Sequence, residues 1–132
     1  MTCAIISRPT VKIGAINEFE PPCCKMKEEL RQMIWKLYCE GYTEFYSNCE
    51  YGVPLWCAEI VIALKMYNDI KLHIAMPYEE QATNWGEVYR DRFFTVHERA
   101  DTVKLISNHY AEDCYDKADE YMKAMSDKCV YV

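Results

Sequence analysis

A strand that leads into a helix through a glycine turn constrains this chain more than any other feature. The segment reads T-E-F-Y-S-N-C-E-Y-G-V-P-L-W-C-A-E over residues 43–59. Its first part predicts a short strand, Gly52 predicts a tight turn, and Pro54 predicts the first turn of a helix. Open α/β sheets bind ligands at such junctions, because the helix N-terminus exposes unpaired N–H groups and the positive end of its dipole.

Apolar patterns along the rest of the chain continue this alternation, which implies a mainly parallel sheet with right-handed crossovers. We therefore predict a three-layer, Rossmann-like α/β sandwich of about five strands and about four helices, as a single domain over residues 1–132. Beside the strand at 43–47 and the helix from 54 to about 68, the predicted elements are strands at 3–7, 70–76, 102–106 and 128–132, and helices that start near 23, after 84 and near 113.

Some details of these elements are specific enough to compare with a structure. Asn84 is a favourable N-cap for the third helix, and Pro77 is expected to end the third strand. Alternation in that strand places His73 on one face and Leu72 on the other. The residues of the fourth helix expected to face the core are Tyr121, Met122 and Met125.

Composition excludes several classes of protein. Apolar residues make up 51% of the 132, without a run long enough to span a membrane. The N-terminus lacks the basic head and apolar run of a signal peptide, so we expect a cytoplasmic protein. A net charge of −6 disfavours binding along nucleic acid. The eight cysteines are expected to be free thiols, and the scattered histidines suggest neither a metal site nor a cofactor.

Four segments, which cover most of the chain in order, carry a family resemblance. They are Y-S-N-C-E-Y-G-V-P-L-W-C-A-E (46–59), I-A-M-P-Y-E-E-Q-A-T-N-W (74–85), A-D-T-V-K-L-I-S (100–107) and Y-A-E-D-C-Y-D-K-A-D-E-Y-M-K-A-M-S-D (110–127). The chain resembles the YpsA-like branch of the SLOG superfamily, the Rossmann-like group that includes the DprA/Smf proteins and the LOG enzymes. The resemblance implies a nucleotide-type ligand site at the junction after the second strand.

This chain differs from the family pattern at the positions that the resemblance assigns to ligand binding. The family's Thr-Gly-His-Arg-Pro is represented by residues 6–9, where only Arg-Pro survives. Asn48 replaces a glycine, Pro54 replaces an aspartate, and residues 118–119 replace an Arg-Asn pair. Relatives continue past the last strand into a Gly-rich loop, a helix and a strand, so we expect a degenerate and C-terminally truncated member.

The resemblance leaves a small set of candidate ligand residues. Arg8 is the surviving candidate for binding an anion. Cys49 lies near a helix N-terminus, which can activate a thiol, but no base is evident beside it, so a structural role is favoured over catalysis. Glu59 occupies the glutamate position of W-A-A-E and either faces the cleft or is solvated. The predicted ligand set is Arg8, Asn48, Cys49, Gly52 and Glu59.

An acidic run lies at the start of the fourth predicted helix, with lysines interspersed. It is read either as a solvated helix face or as a contact surface for a basic partner. The residues of this predicted partner surface are Glu112, Asp113, Asp116, Asp119 and Glu120.

Two functions from different classes follow. The first is a non-catalytic SLOG-like protein that binds a protein partner, such as a phage or mobile-element inhibitor of a basic nucleic-acid-handling defence protein. The alternative is a sensor or sponge for a nucleotide or ADP-ribose derivative at the switch-point crevice. LOG-type hydrolysis of an N-glycosidic bond is disfavoured. We also expect a homodimer, formed by an apolar sheet edge at residues 128–132 or by helix packing.

Overall fold

The computed structural model describes residues 1–7 and 19–132; the predicted ligand residue Arg8 lies outside the described residues. The elements in chain order are β1 (Thr2–Ile6), α1 (Pro21–Cys39), β2 (Glu44–Ser47), α2 (Val53–Lys65), β3 (Lys71–Tyr78), α3 (Glu87–Arg99), β4 (Thr102–Ser107), α4 (Cys114–Ala124) and β5 (Lys128–Tyr131).

The described strands form one parallel sheet in the order β4-β3-β2-β1-β5. Each of β2, β3 and β4 is added next to the strand that precedes it in the chain, on one side of β1. The chain then returns across the sheet and adds β5 on the other side of β1. The topological switch point therefore lies between β1 and β5. This arrangement confirms the predicted Rossmann-like α/β fold, and it leaves β4 and β5 as the two outer strands of the described sheet.

Two apolar cores lie between the sheet and the helices, one on each face of the sheet. On one face, Phe45, Leu72 and Ile74 of the sheet pack with buried residues of α1, α2 and α3. On the other face, Tyr46 and Ala75 pack with residues of α4. The alternation predicted for β3 is confirmed, because His73 stacks on the Tyr46 ring at 4.8 Å while Leu72 and Ile74 face the first three helices.

Two sequence predictions about element ends and one about a core-facing side chain are wrong, each for a local reason. Helix α3 has Gly86 rather than Asn84 as its N-cap, because residues 79–85 fold into successive turns. Pro77 does not end β3: the strand continues to Tyr78, and its register with β4 passes over Pro77, which has no N–H to donate. Met125 is 51% exposed because it follows the last residue of α4 as the C-cap.

Parallel strands end at the same side of a sheet. The loop after β2, the last residue of β3 and the connection from β4 to α4 therefore meet at one side, which we call the carboxyl edge. The N-termini of α2 and α4 lie at this edge as well. The carboxyl edge is the position at which ligands bind in folds of this type.

Candidate functional site

The loop between β2 and α2 is buried and tied down by its own polar groups. Ser47 is 1% exposed, and its hydroxyl donates to the Pro54 carbonyl at 2.8 Å and accepts from the Cys49 N–H at 3.1 Å. Cys49 has a φ of 56°, which is uncommon for a residue other than glycine, and its side chain is fully buried. The backbone of the loop is therefore fixed rather than open to a ligand.

Glu50 lies directly before the first turn of α2. Its carboxylate accepts a hydrogen bond from the Tyr51 N–H at 2.7 Å, and its carbonyl accepts from the Leu55 N–H at 3.1 Å. The Gly52 carbonyl accepts from Trp56 at 2.9 Å, with Gly52 itself at a φ of 104°. A carboxylate therefore lies in the loop that leads into the positive end of the α2 dipole.

The carboxylate of Glu50 also joins the loop to α4. The hydroxyl of Tyr115, in the first turn of α4, hydrogen-bonds to Glu50, and burial together with this carboxylate raises the pKa of Tyr115. Tyr78, at the end of β3, lies next to both groups, and burial is the main cause of its raised pKa. These residues bring three separate elements together at the carboxyl edge.

A second carboxylate lies one helical turn further along α4. Asp119 hydrogen-bonds to the Asn48 side chain, and partial burial raises the pKa of this carboxyl against the opposing effect of Lys123. Gln81 is 3% exposed and donates from Nε2 to the Asn48 carbonyl at 3.1 Å. Among the described residues, the buried Oδ1 of Asp119 and Oε1 of Gln81 have no hydrogen-bond partner.

The resulting site is acidic and phenolic. Two carboxylates and two tyrosine hydroxyls approach the β2–α2 loop, and none of these four side chains is cationic. Negative charge at this position repels a phosphate and attracts a cation or a hydroxyl group. Residues 1–7 and 19–132 contain no cluster of His, Cys, Asp and Glu that could hold a metal ion.

The structure places the predicted ligand residues in different surroundings. Asn48, Cys49 and Gly52 do share the β2–α2 loop, one strand away from the switch point. Burial raises the pKa of the Cys49 thiol far above its usual range, which keeps it protonated and therefore a weak nucleophile. Glu59 instead pairs with Arg92 of α3, at 2.6 and 2.9 Å, on the outer side of the helix layer.

The Glu59–Arg92 pair lies at the mouth of a shallow groove in this helix layer. The groove has a volume of about 260 Å³. Lys27 of α1 extends over the Trp56 ring on the same side, with its Nζ 4.9 Å from the ring centroid. The position of Glu59 therefore fits an ion pair between helices α2 and α3, which neither of its two sequence interpretations included.

The predicted acidic partner surface divides into two parts. Asp119 is turned toward the β2–α2 loop, as described above. The other members are exposed, and Asp113 pairs only loosely with Lys117, at 3.3 Å between two exposed side chains. The exposed part of the surface consists of Glu112, Asp113, Asp116 and Glu120.

Sequence reasoning missed four residues of the site: Glu50, Tyr78, Gln81 and Tyr115. Glu50 carried a usable signal, since an acidic residue just before a proline-opened helix suits the helix dipole. Nothing in the sequence linked Tyr115 or Gln81 to that loop, because their contacts depend on how the elements pack.

An open, doubly wound parallel sheet with a strand–turn–helix junction at its carboxyl edge defines a Rossmann-like α/β domain. The YpsA family model, described as the YspA SLOG family, matches residues 8–132. The chain belongs to this SLOG family.

Relatives with curated sequences support the assignment. A UPF0398 protein of Halalkalibacterium halodurans is 36% identical over 83 residues, which cover 62% of this chain but only 44% of that protein. A UPF0398 protein of Staphylococcus saprophyticus is 24% identical over 134 aligned residues, covering 99% of this chain and 71% of that protein. A UPF0398 protein of Staphylococcus aureus is 22% identical over a similar span.

None of the described helices is both long and apolar enough to cross a bilayer.

Proposed function

We propose that this protein is a non-catalytic SLOG-family member that acts by binding a basic protein partner. The contact surface would combine the carboxyl edge with the exposed acidic residues at the start of α4. A protein that handles nucleic acid would offer the complementary charge. An inhibitor of phage or mobile-element origin, directed against such a defence protein, is the form of this function that we favour.

The observation that carries the proposal is the position of Glu50. In Rossmann-like folds the N-terminus of a helix at the carboxyl edge attracts an anionic ligand group. Here Glu50 lies two residues before Gly52, the N-cap of α2, and its carboxylate accepts the Tyr51 N–H at 2.7 Å in the loop that leads into the helix. A phosphate would meet this fixed negative charge, whereas a lysine or arginine side chain would be attracted by it.

The charge on the rest of the molecule also supports a basic partner. The net charge of the chain is −6. Glu112, Asp113, Asp116 and Glu120 extend the negative potential of the carboxyl edge onto the solvent side of α4. Complementary potentials speed association and select partners, which suits an inhibitor that must find one target.

The non-catalytic part of the proposal is supported by the state of the two nucleophilic side chains at this loop, Cys49 and Ser47. Cys49 is fully buried, and burial raises its pKa, so a thiolate would be strongly disfavoured. Ser47 uses its hydroxyl to donate to the Pro54 carbonyl and to accept from the Cys49 N–H. The Ser47 hydroxyl is therefore already engaged in two hydrogen bonds within its own loop.

The proposal can be tested by affinity capture from a lysate of the host cell, using a variant in which the four exposed acids are neutralised. The matched control neutralises four exposed acids on the other helices and turns, namely Glu29, Asp69, Asp91 and Glu98. We expect the unaltered protein and the control to retain the same basic protein, and the α4 variant to lose it. Equal retention by all three proteins would contradict the proposed surface.

The rival function is tested in parallel by thermal shift. A site for a nucleotide or ADP-ribose derivative would raise the melting temperature as ligand is added, because ligand binds only the folded state. We expect no shift with these compounds at millimolar concentration. A concentration-dependent rise would overturn the protein-binding proposal in favour of the sensor or sponge.

A further inference from the structure

Three tyrosine rings meet edge to face at the carboxyl edge. The Tyr78 ring lies 5.3 Å from the Tyr110 ring, at an interplanar angle of 79°. It lies 6.2 Å from the Tyr115 ring, at 81°. Tyr78 ends β3, Tyr110 belongs to the β4–α4 connection, and Tyr115 lies in the first turn of α4. We call these three rings the tyrosine cluster.

The tyrosine cluster is accessible although parts of it are buried. The Tyr110 ring is 65% exposed although it contacts the Tyr78 ring. Tyr78 and Tyr115 are partly buried behind it. An exposed ring held in a fixed angular relation to two others presents an aromatic face, and such faces carry negative potential.

A carboxylate lies beside two of these rings, Tyr115 and Tyr78. The Tyr115 hydroxyl hydrogen-bonds to Glu50, whose charge also acts on Tyr78. The cation–π pairs of the described residues use other rings: Lys27 over Trp56 and Phe19, Arg92 over Tyr89, Lys123 over Tyr131 and Lys128 over Tyr42. Aromatic faces combined with a carboxylate are the surroundings in which proteins bind organic cations.

We propose that the tyrosine cluster and Glu50 form a binding site for an arginine side chain of the partner protein. The planar guanidinium of arginine stacks on aromatic rings and donates in pairs to a carboxylate, so it uses both parts of the site. Lysine would use the charge but not the stacking geometry. This inference rests on the proposed function, and it specifies which side chain of the basic partner the carboxyl edge recognises.

The site can be tested with a synthetic peptide of alternating glycine and arginine, using isothermal titration calorimetry. The matched peptide contains citrulline, which keeps the shape of arginine but lacks its charge. We expect the arginine peptide to bind and the citrulline peptide to bind at least about ten-fold more weakly. Absence of arginine-peptide binding, or equal affinity for both peptides, would overturn the site.

Substitution of one ring locates the binding. Tyr110→Leu removes the exposed ring and is expected to weaken arginine-peptide binding by about five-fold. The control is Tyr67→Leu, at a ring that is 87% exposed after α2, and it should leave the affinity unchanged. If the two variants bind the arginine peptide equally well, the tyrosine cluster is not the site.

The two proposals fail in different ways. If Tyr110→Leu retains the captured basic protein and the arginine peptide, while neutralising the four acids of α4 releases the protein, then the partner-binding function stands and the arginine site is wrong. If no basic protein is captured but peptide affinity follows the Tyr110 substitution, then the arginine site stands and the partner-binding function is wrong.

Discussion

The hydroxyl of Tyr115 donates a hydrogen bond to the carboxylate of Glu50, and this contact ties the first turn of α4 to the N-terminus of α2. It joins the two layers of helices across the carboxyl edge of the sheet. The same carboxylate puts negative charge in the loop before α2, where an anion would otherwise be attracted by the helix dipole. One contact therefore serves both the stability of the fold and the electrostatic character of the site.

Loss of the Tyr115 hydroxyl should destabilise the protein. Tyr115→Phe removes a hydrogen bond to a charged group, and such bonds contribute about 1.5–3 kcal/mol. We expect the free energy of unfolding in urea to fall by about that amount. The control is Tyr67→Phe, at an exposed ring, which should change the free energy by less than about 0.5 kcal/mol. Equal stability of the two variants would contradict the importance of the contact.

Asp119→Asn should stabilise the protein at neutral pH. Partial burial raises the pKa of Asp119 in the folded state, so the carboxyl favours folding when it is protonated and loses that contribution as pH rises through the folded pKa. An amide keeps the shape without the charge.

The expected gain in melting temperature is about 2–5 °C at pH 7 and vanishes below the ordinary aspartate pKa of 3.8. Differential scanning fluorimetry across this range measures it. Asp91→Asn, at an exposed position of α3, is the control and should change little at either pH. A loss of stability in the Asp119 variant at pH 7 would contradict the assignment of a buried charge.

His97 should make the protein sensitive to mild acid. Its Nδ1 donates to the Phe93 carbonyl at 2.7 Å, and burial lowers its pKa below the usual 6.5. A lowered pKa means that the contribution of His97 to stability is present above pH 6.5 and is lost as pH falls through the folded pKa.

We therefore expect the free energy of unfolding to decrease between pH 7 and pH 5, and the decrease to be smaller in His97→Gln. His109→Gln is the comparison, because this histidine is 83% exposed and lies 2.9 Å from the Glu80 carboxylate, so its replacement should not make the decrease smaller. A His97→Gln variant with an unchanged pH dependence would refute this role.

Self-association is the prediction that concerns the sheet edges. Because β5 is an outer strand of the described sheet, we expect its outer edge to pair with a second copy. We expect light scattering at micromolar concentration to give twice the chain mass of 15.6 kDa. Tyr131→Lys should reduce the dimer, whereas Leu105→Lys on the opposite outer strand should not. A monomeric mass for the unaltered protein would contradict this prediction.

The sequence predicted the fold well because its signals are local. Gly52 and Pro54 mark the start of α2, and the alternation around His73 sets the faces of β3. Pro77 misled the prediction. A strand tolerates proline at a position where the neighbouring strand accepts no hydrogen bond from the backbone, and that position depends on the register with β4.

The site was less predictable because it is made of contacts between distant elements. Asn48 and Cys49 were found through their position in the β2–α2 loop. The link between Glu50 and Tyr115 depends on how α4 packs against the sheet, and the pairing of Glu59 depends on the rotation of α3. Neither arrangement leaves a periodic signal in the sequence.

Native mass spectrometry of the protein expressed in its own type of host cell tests the central claim most directly, because it reports bound small molecules and bound proteins together. We predict a mass without a nucleotide-sized ligand, together with a complex that contains a basic protein. Retention of a ligand of nucleotide size, with no protein partner, would contradict the account and assign the carboxyl edge to a small molecule.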